Sequence, residues 1–208
     1  VDGVRKYSIA NEKLPSVTTI LQSTQDPDKA ESLARWKAKV GNVEADRIKN
    51  TAALRGTAMH TYLEHYVKGG NVLDLTDVGR EASSMGQMII EKGFPDLEEV
   101  WGVECTLHYP GLYAGTTDLV GIYKGRPTIM DFKQTNRPKK REWIDDYFMQ
   151  AAAYGMAHNE VFETKIEHAA IFMCSRDCDW QLWEVGPEEF EHWTEKWANR
   201  VEEFYNLS

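Results

Sequence analysis

The sequence predicts an α/β (α+β) protein in which helices pack against a mixed sheet, in the order αβββαβ after an N-terminal helical region. Three apolar-rich segments, at about 98–109, 113–123 and 127–133, have the composition of β-strands. Pro110-Gly111 and Gly125-Arg126-Pro127 separate them as turns, which is typical of a strand meander. With 208 residues, 42% of them hydrophobic, the chain is long enough for one core of ordinary size.

The overall charge and hydropathy limit the classes of function. The formal net charge of −9 has the wrong sign for binding nucleic acid by bulk electrostatics, so any such binding depends on local basic patches. No apolar run approaches the ~20 residues that a membrane helix needs, and the first residues lack the apolar core of a signal peptide. We therefore expect an intracellular protein that has no membrane partner.

The cysteines indicate the redox compartment. Cys105, Cys174 and Cys178 are few and odd in number, which favours reduced thiols. Cys174 and Cys178 could share a metal ion, but we interpret them as ordinary small buried residues. A reducing compartment is expected: the cytoplasm of a bacterial or phage-infected cell, with the mitochondrial matrix as the alternative.

The N-terminal quarter of the chain is predicted to be partly helical. Residues 1–25, including LPSVTTIL, look irregular or strand-like. Asp26-Pro27 is a good helix start that predicts a helix to about Val40. Arg35 lies beside Trp36 in this helix among other basic residues, and two interpretations stay open: a solvated face with Trp36 packed inward, or a phosphate-contacting surface.

A longer helix is predicted from Val43 to about Lys68, with a possible break at Arg55-Gly56. His60 and Glu64 are four residues apart and share a helix face. From the residues alone, a structural role for this histidine is favoured over metal ligation. Another helix is predicted over 79–92.

Charged residues interrupt the meander where a buried strand should not carry them. Asp118 lies in the middle segment, and Asp131 and Lys133 end the third segment, with Phe132 pointing to the opposite face. Uncompensated charges are kept out of protein cores. A divalent metal bound by oxygen ligands is the natural group to neutralise the two carboxylates.

The C-terminal part completes the predicted order of elements. A basic loop, NRPKKREW, is interpreted as an anion-binding segment, although a solvated loop is the alternative. A helix is predicted over 143–158, then strands at 166–174 and 180–185, then a helix over 187–204 with an aromatic core stripe. Gln150 and Tyr154 share a face of the first of these helices.

Four motifs in this order resemble those of the PD-(D/E)xK superfamily of nucleases, in its RecB-like branch. The motifs are Gly56-x-x-x-His60, Gly115-x-x-Asp118, Asp131-x-Lys133 and Gln150-x-x-x-Tyr154. The match covers about residues 54–175, and Thr117 precedes Asp118 in place of proline, as is usual in that branch. Further upstream, PSVTTIL and LARWK resemble segments of the mitochondrial genome maintenance exonucleases and related phage proteins.

The resemblance implies a restriction-endonuclease-like core over 54–208, and an N-terminal helical extension over 1–53 that contributes to DNA binding, in one compact domain. It also implies one or two Mg²⁺ or Mn²⁺ ions held by His60, Asp118, Asp131 and the backbone carbonyl of Phe132.

Further roles follow from the same resemblance. Lys133 would position the attacking water and offset charge on the phosphate, while Gln150 and Tyr154 would orient the site or the DNA. Glu64 and Glu104 are additional candidates for metal binding, although an outward-facing Glu104 is an equal alternative. Some relatives carry an iron–sulfur cluster held by four cysteines, and three cysteines here predict none.

The implied function is a metal-dependent DNA exonuclease acting on single-stranded DNA or DNA ends. A catalytically silent DNA-binding or assembly protein on the same fold is the alternative. A hydrolase of small phosphoesters is less well supported because it would not need the basic cluster. The residues expected to contact DNA are Ser16, Thr18, Arg35, Trp36, Arg137, Lys139, Lys140 and Arg141.

Overall fold

The structure is a computed structural model that describes residues 5–9 and 12–207. Its strands and helices, in chain order, are β1 Lys6–Ile9, β2 Glu12–Pro15, α1 Val17–Ser23, α2 Pro27–Val40, α3 Asn42–Val67, α4 Asp77–Gly93, β3 Leu97–Tyr109, β4 Tyr113–Tyr123, β5 Arg126–Thr135, α5 Asp145–Phe162, β6 His168–Ser175, β7 Trp180–Val185 and α6 Pro187–Asn206. Short 3₁₀ turns at Phe94–Asp96 and Arg141–Trp143 precede β3 and α5.

A five-stranded mixed sheet in the order β3-β4-β5-β6-β7 forms the centre of the molecule. The strands β3, β4 and β5 are the predicted antiparallel meander, β5 and β6 pair in parallel, and β7 is antiparallel to β6. The parallel pair is joined by α5, as a crossover connection requires. The predicted α/β class with a mixed sheet is confirmed.

Two hydrophobic clusters cover the two faces of the sheet. The first joins the sheet to α1, α5 and α6, and the second joins it to α3 and α4. The predicted core stripe of α6 is confirmed, since Phe190, Trp193, Trp197 and Val201 are all buried. The small side chains 151–153 are buried as well and let α5 lie close to the sheet.

The segment LPSVTTIL differs from its prediction. Leu14 and Pro15 end β2, but Val17–Ser23 is helix α1 rather than strand or irregular chain. The Ser16 side chain accepts a hydrogen bond from the backbone N–H of Thr19 and so caps the helix. Burial of Val17 together with this cap outweighs the strand preference of the β-branched residues. The remaining predictions for residues 1–4, 10 and 11 lie outside the described residues.

Helix α3 is continuous, so the expected break at Arg55-Gly56 is wrong. A Cβ atom at Gly56 would lie 3.3 Å from Cγ of Gln134, so this glycine permits close packing on β5 instead of bending the helix. The predicted domain boundary at residues 53 and 54 falls inside α3, and the division stays a prediction. Among the described residues, no helix has the length and apolar character needed to cross a membrane.

Candidate active site

Residues from four strands and three helices line one cavity of about 230 Å³. The sequence-predicted residues that it brings together are Ser16, Thr18, His60, Glu104, Asp118, Asp131, Lys133, Gln150 and Tyr154. All four motifs of the sequence therefore meet in one place, although α3 and α5 are far apart along the chain.

The two aspartates face each other at the point where two strands separate. The β4–β5 ladder ends at the pair Leu119–Met130, one residue short of Asp118 on β4 and of Asp131 on β5. The backbone N–H of Phe132 donates a 2.7 Å hydrogen bond to Oδ2 of Asp118 and so has a side-chain acceptor there. The acids therefore occupy a gap in the sheet that backbone pairing does not fill.

Burial and mutual repulsion make the carboxylates costly in this site. Burial raises the pKa of Asp118 well above its usual range, and the negative charge of Asp131 raises it further. Burial alone would lower the pKa of Lys133, but the carboxylates of Asp131 and Asp118 outweigh it and the pKa is raised. Lys133 is therefore a permanent cation at neutral pH, and one lysine faces at least two acids.

The ion pair between Asp131 and Lys133 leaves room for another cation. Oδ2 of Asp131 and Nζ of Lys133 are 2.6 Å apart, but the angles between the two groups are not those of a good hydrogen bond. Oδ2 of Asp131 is buried and has no hydrogen-bond partner among the described residues. One ammonium group does not satisfy all the oxygens of two buried carboxyl groups, and a divalent cation is a group that binds such oxygens.

His60 reaches the same gap from α3. Its Nε2 lies 2.7 Å from the carbonyl oxygen of Phe132 and 3.7 Å from Oδ2 of Asp118. Burial lowers the pKa of His60, which favours the neutral ring that metal ligation requires. Because a carbonyl oxygen accepts, Nε2 carries the proton here. Binding a metal through Nε2 would move that proton to Nδ1.

Glu104 points toward this site rather than outward. Potential ligand atoms of His60, Glu104 and Asp118 all lie within 4.8 Å of one another. The half-buried Glu104 carboxyl has a raised pKa because of burial and the nearby charges of Glu64 and Asp131. Glu64 itself accepts a 2.5 Å hydrogen bond from Lys68 and is not part of the three-residue cluster.

A hydrogen-bonded chain links Lys133 to α5. The Lys133 ammonium donates to Oε1 of Gln150 at 2.8 Å, and Nε2 of Gln150 donates to the Tyr154 hydroxyl at 2.9 Å. Because lysine can only donate, it fixes the amide orientation of Gln150. The Tyr154 oxygen is then an acceptor, and its own proton is left to point into the cavity that it lines.

The predicted DNA-contacting residues separate into three groups, of which the first, Ser16 and Thr18, lines the active-site cavity. Trp36 and Arg137 line a groove of about 730 Å³, together with three arginines that sequence reasoning missed: Arg47, Arg55 and Arg176. Arg55 is buried at its base, 2.6 Å from a carboxylate oxygen of Glu81 and 2.9 Å from the amide oxygen of Asn136. Helix α3 contributes to both sites, since Arg55 lies five residues before His60.

The other basic residues are not in this groove. Arg35 pairs with Glu31 at 2.8 Å on the exposed side of α2. The backbone of Lys139 exchanges hydrogen bonds with the side chain of Gln181, and the Lys140 ammonium lies over the ring of Trp143.

Arg141 is the most fully compensated member of the basic cluster. Its guanidinium lies 2.6 Å from a carboxylate oxygen of Glu189 and stacks over the ring of Phe148. Its charge is therefore largely neutralised within the protein.

Sequence reasoning also missed Arg5, the residue before β1, and Tyr7 on β1, which both line the active-site cavity. Nothing in their local sequence indicates this position. It results from the β1–β2 hairpin lying against β4, where Ser16 forms an isolated parallel bridge with Ala114.

The chain is similar to known proteins in both sequence and fold. No family model matches the chain. Mitochondrial genome maintenance exonuclease 1 of Mus musculus is 26% identical over 210 residues, which cover 96% of this chain and 61% of the relative. The protein of the same name from Xenopus tropicalis is 27% identical over 211 residues, covering 94% and 58%. The chain thus spans about three fifths of the length of the curated relatives it matches.

A solved structure supports the fold. A candidate exonuclease from Eubacterium rectale, 15% identical, superposes with a TM-score of 0.51 over 75% of this chain and 68% of that chain. The chain is similar to these proteins. The resemblance predicted from the motifs is therefore confirmed at the level of sequence similarity and fold class.

Proposed function

We propose that the protein is a metal-dependent DNA exonuclease that hydrolyses phosphodiester bonds of single-stranded DNA or of DNA ends. The observation that carries this proposal is the convergence of Asp118, Asp131 and Lys133 on one cavity, where a single lysine faces two buried carboxyl groups. The relatives are named as exonucleases, which supports the same reaction.

The residues present fit a divalent cation. Carboxylate oxygens of Asp118, Asp131 and Glu104, the carbonyl oxygen of Phe132 and one imidazole form a donor set suited to Mg²⁺ or Mn²⁺. When bound, one or two such ions would activate water and stabilise the leaving oxygen of the phosphodiester.

The protein's own groups supply the remaining chemistry. Lys133 has a raised pKa, so at neutral pH it can donate hydrogen bonds but cannot accept the proton of the attacking water. It would hold that water and offset charge on the phosphate. Gln150 fixes the position of the ammonium, and the Tyr154 hydroxyl would donate its proton to a phosphate oxygen of the strand.

The basic groove gives the strand a place to bind. Trp36 offers an aromatic face and Arg137 and Arg176 offer cations, which is the combination that binds single-stranded nucleic acid. This supports a substrate that approaches along α3 toward His60. The N-terminal helices would then contribute to DNA binding, as the resemblance implies.

We also propose a reducing compartment. The cysteines Cys105, Cys174 and Cys178 are free thiols in the structure. Of the two compartments expected from the sequence, the mitochondrial matrix agrees with the name of the relatives.

The test is cleavage of end-labelled linear and circular single-stranded DNA with Mg²⁺ or Mn²⁺, for wild type and the variants Asp131→Asn and Lys133→Ala. We expect degradation of linear DNA only, its loss in EDTA, and at least a hundredfold decrease in both variants. Lys165→Ala, which removes an exposed lysine outside the cavity, is the matched control and should keep full activity. DNA binding without cleavage under all of these conditions would instead favour the catalytically silent protein.

A further inference from the structure

We propose that the entry to strand β1 carries a phosphate-binding subsite. In it, the guanidinium of Arg5, the residue before the strand, binds the non-bridging oxygens of a phosphodiester next to the one that is cleaved. The inference rests on the proposed nuclease function, and it assigns a role to a wall of the cavity that the nuclease motifs do not include. Three observations carry it: the anchored backbone of Arg5, the support of its side chain, and the charge distribution of the cavity.

The backbone of Arg5 is held in place by residues of the α1 cap. Its carbonyl oxygen accepts hydrogen bonds from the backbone N–H of Ser16 at 3.1 Å and from the Thr19 hydroxyl at 3.2 Å. Leu14 and Val17 are buried on either side of this junction. The start of β1 is therefore fixed to the core although its side chain is exposed.

The side chain of Arg5 is supported by Tyr7. The guanidinium carbon lies 5.3 Å from the centroid of the Tyr7 ring, within the range of a cation–π contact. The Tyr7 hydroxyl is 3.2 Å from the hydroxyl of Thr116 on β4, two residues before Asp118. This contact connects the position of the arginine to the strand that carries a proposed metal ligand.

The charges of the cavity leave Arg5 available to a ligand. Within the described residues, Lys133 pairs with Asp131, and no carboxylate lies within ion-pair distance of Arg5. The charge of Arg5 acts on Glu104 across the cavity without forming an ion pair, and it only partly offsets the burial that raises the pKa of that carboxyl. A planar guanidinium donates two parallel hydrogen bonds to a phosphate, which an ammonium group cannot reproduce. Arg5 lines the cavity of a proposed phosphodiesterase, has no ion-pair partner among residues 5–9 and 12–207, and is held by its neighbours. These are the features of a phosphate-binding residue.

The subsite is tested by equilibrium binding of a fluorescent 15-nucleotide oligothymidylate, with Ca²⁺ present in place of Mg²⁺. We expect Arg5→Ala to raise Kd about tenfold, and to reduce the slope of log Kd against log salt by about 0.7, the loss of one phosphate contact. Arg5→Lys should recover only part of the affinity, because lysine keeps the positive charge but cannot donate two parallel hydrogen bonds to one phosphate. Tyr7→Phe should raise Kd about two- to threefold, since its ring stays and its bond to Thr116 is removed.

Lys6→Ala is the matched control. Lys6 is the next residue and the first of β1, is exposed, and does not line the cavity, so this variant removes one positive charge without altering the subsite. Its Kd and salt slope should equal those of wild type. Melting temperatures of all variants within 2–3 °C of wild type would show that the hairpin is intact, as expected because Arg5 anchors β1 through its carbonyl group.

The outcomes separate this inference from the proposed function. If wild type binds and cleaves DNA but Arg5→Ala and Lys6→Ala behave alike, the subsite is wrong and the nuclease stands. If wild type binds without cleaving and Arg5→Ala loses affinity selectively, the subsite is supported and the nuclease is overturned. If wild type neither binds nor cleaves DNA, both are overturned.

Discussion

Glu104 and Asp118 are level with each other on β3 and β4 but are not a pair of the ladder, and the Glu104 backbone has a φ of +49° in the middle of a β-strand. The flanking pairs Val103–Leu119 and Cys105–Thr117 are in regular register, so the irregularity is confined to one residue. A left-handed conformation at a non-glycine residue costs about 1–3 kcal/mol and persists where the surrounding structure imposes it. The strain coincides with a carboxyl group turned toward the proposed metal site.

Relief of this strain should stabilise the protein and impair the enzyme. We expect Glu104→Gly to raise the melting temperature of the metal-free protein by about 2–4 °C, which corresponds to about 1 kcal/mol. Glu104→Gln removes the charge and keeps the strain, so its melting temperature should lie below that of the glycine variant. Both variants should need at least tenfold more Mn²⁺ for half-maximal cleavage, because a ligand is lost.

Lys124→Gly provides the control for the backbone effect. Lys124 also has a φ of +49°, but it lies in the β4–β5 turn, away from the cavity. Because Lys124→Gly also removes the ion pair with Glu184 at 2.9 Å, its gain in stability should be smaller than that of Glu104→Gly, and its metal requirement should not change. An unchanged metal requirement in Glu104→Gln would remove Glu104 from the ligand set.

Neutralising Asp118 should stabilise the metal-free protein at neutral pH. Its folded-state pKa is raised, so stability is full below the ordinary carboxyl pKa of 3.8 and decreases as pH rises toward the folded-state value. Asp118→Asn has no carboxyl group to ionise, so its stability does not decrease in this way as pH rises. Its amide can also donate a hydrogen bond to Asp131. In EDTA, its melting temperature should exceed that of wild type increasingly from pH 5 to pH 8.

Metal addition gives the complementary measurement. Mn²⁺ should raise the melting temperature of wild type at pH 8 by neutralising the acids, and should have little effect on Asp118→Asn. Equal melting curves for the two proteins in EDTA across this pH range would show that Asp118 is not destabilised by burial.

Gly115 should be required because of Tyr154. A Cβ atom at position 115 would lie 2.6 Å from Cε1 of the Tyr154 ring, so Gly115→Ala must displace that ring and the hydrogen bond from Gln150. We expect a loss of about 1–3 kcal/mol in stability and a tenfold or greater decrease in kcat. Thermal denaturation and single-turnover cleavage measure the two effects.

Gly56→Ala is a matched change in the preceding motif. The new Cβ would be 3.3 Å from Cγ of Gln134, an atom of a flexible side chain that can move by a few tenths of an ångström. The kcat of this variant should decrease by less than threefold. If Gly115→Ala were equally mild, the coupling of the two motifs through Tyr154 would be wrong.

The sequence predicted the helices and strands that local patterns define, such as turn residues and helical periodicity. The turns around β4 and the periodicity of α6 placed most element boundaries within a few residues of those observed. The ordered motifs indicated the residues that line the cavity, because their spacing places each group on a particular helix or strand. Their chemical roles remain predictions.

The features that sequence reasoning missed depend on long-range contacts. The strand preference of Val17–Ser23 was overridden by the Ser16 cap and by burial against α5 and α6. Arg5 reaches the cavity only because the hairpin folds onto β4, and Arg55 reaches the groove through partners on α4 and after β5. Local composition carries no information on such pairings.

The basic segment after β5 shows how folding divides residues that look alike in sequence. Arg137 lines the groove and has no ion-pair partner among the described residues, whereas Arg141 is paired with Glu189. We therefore expect Arg137→Ala to raise Kd for single-stranded DNA about tenfold and to reduce the salt slope by about 0.7. Arg141→Ala removes the same charge and should change Kd less than threefold, because its charge is already compensated. Titration of both variants with a labelled oligonucleotide at several salt concentrations measures this difference, and equal effects would show that the net charge of the segment, not the groove, binds the DNA.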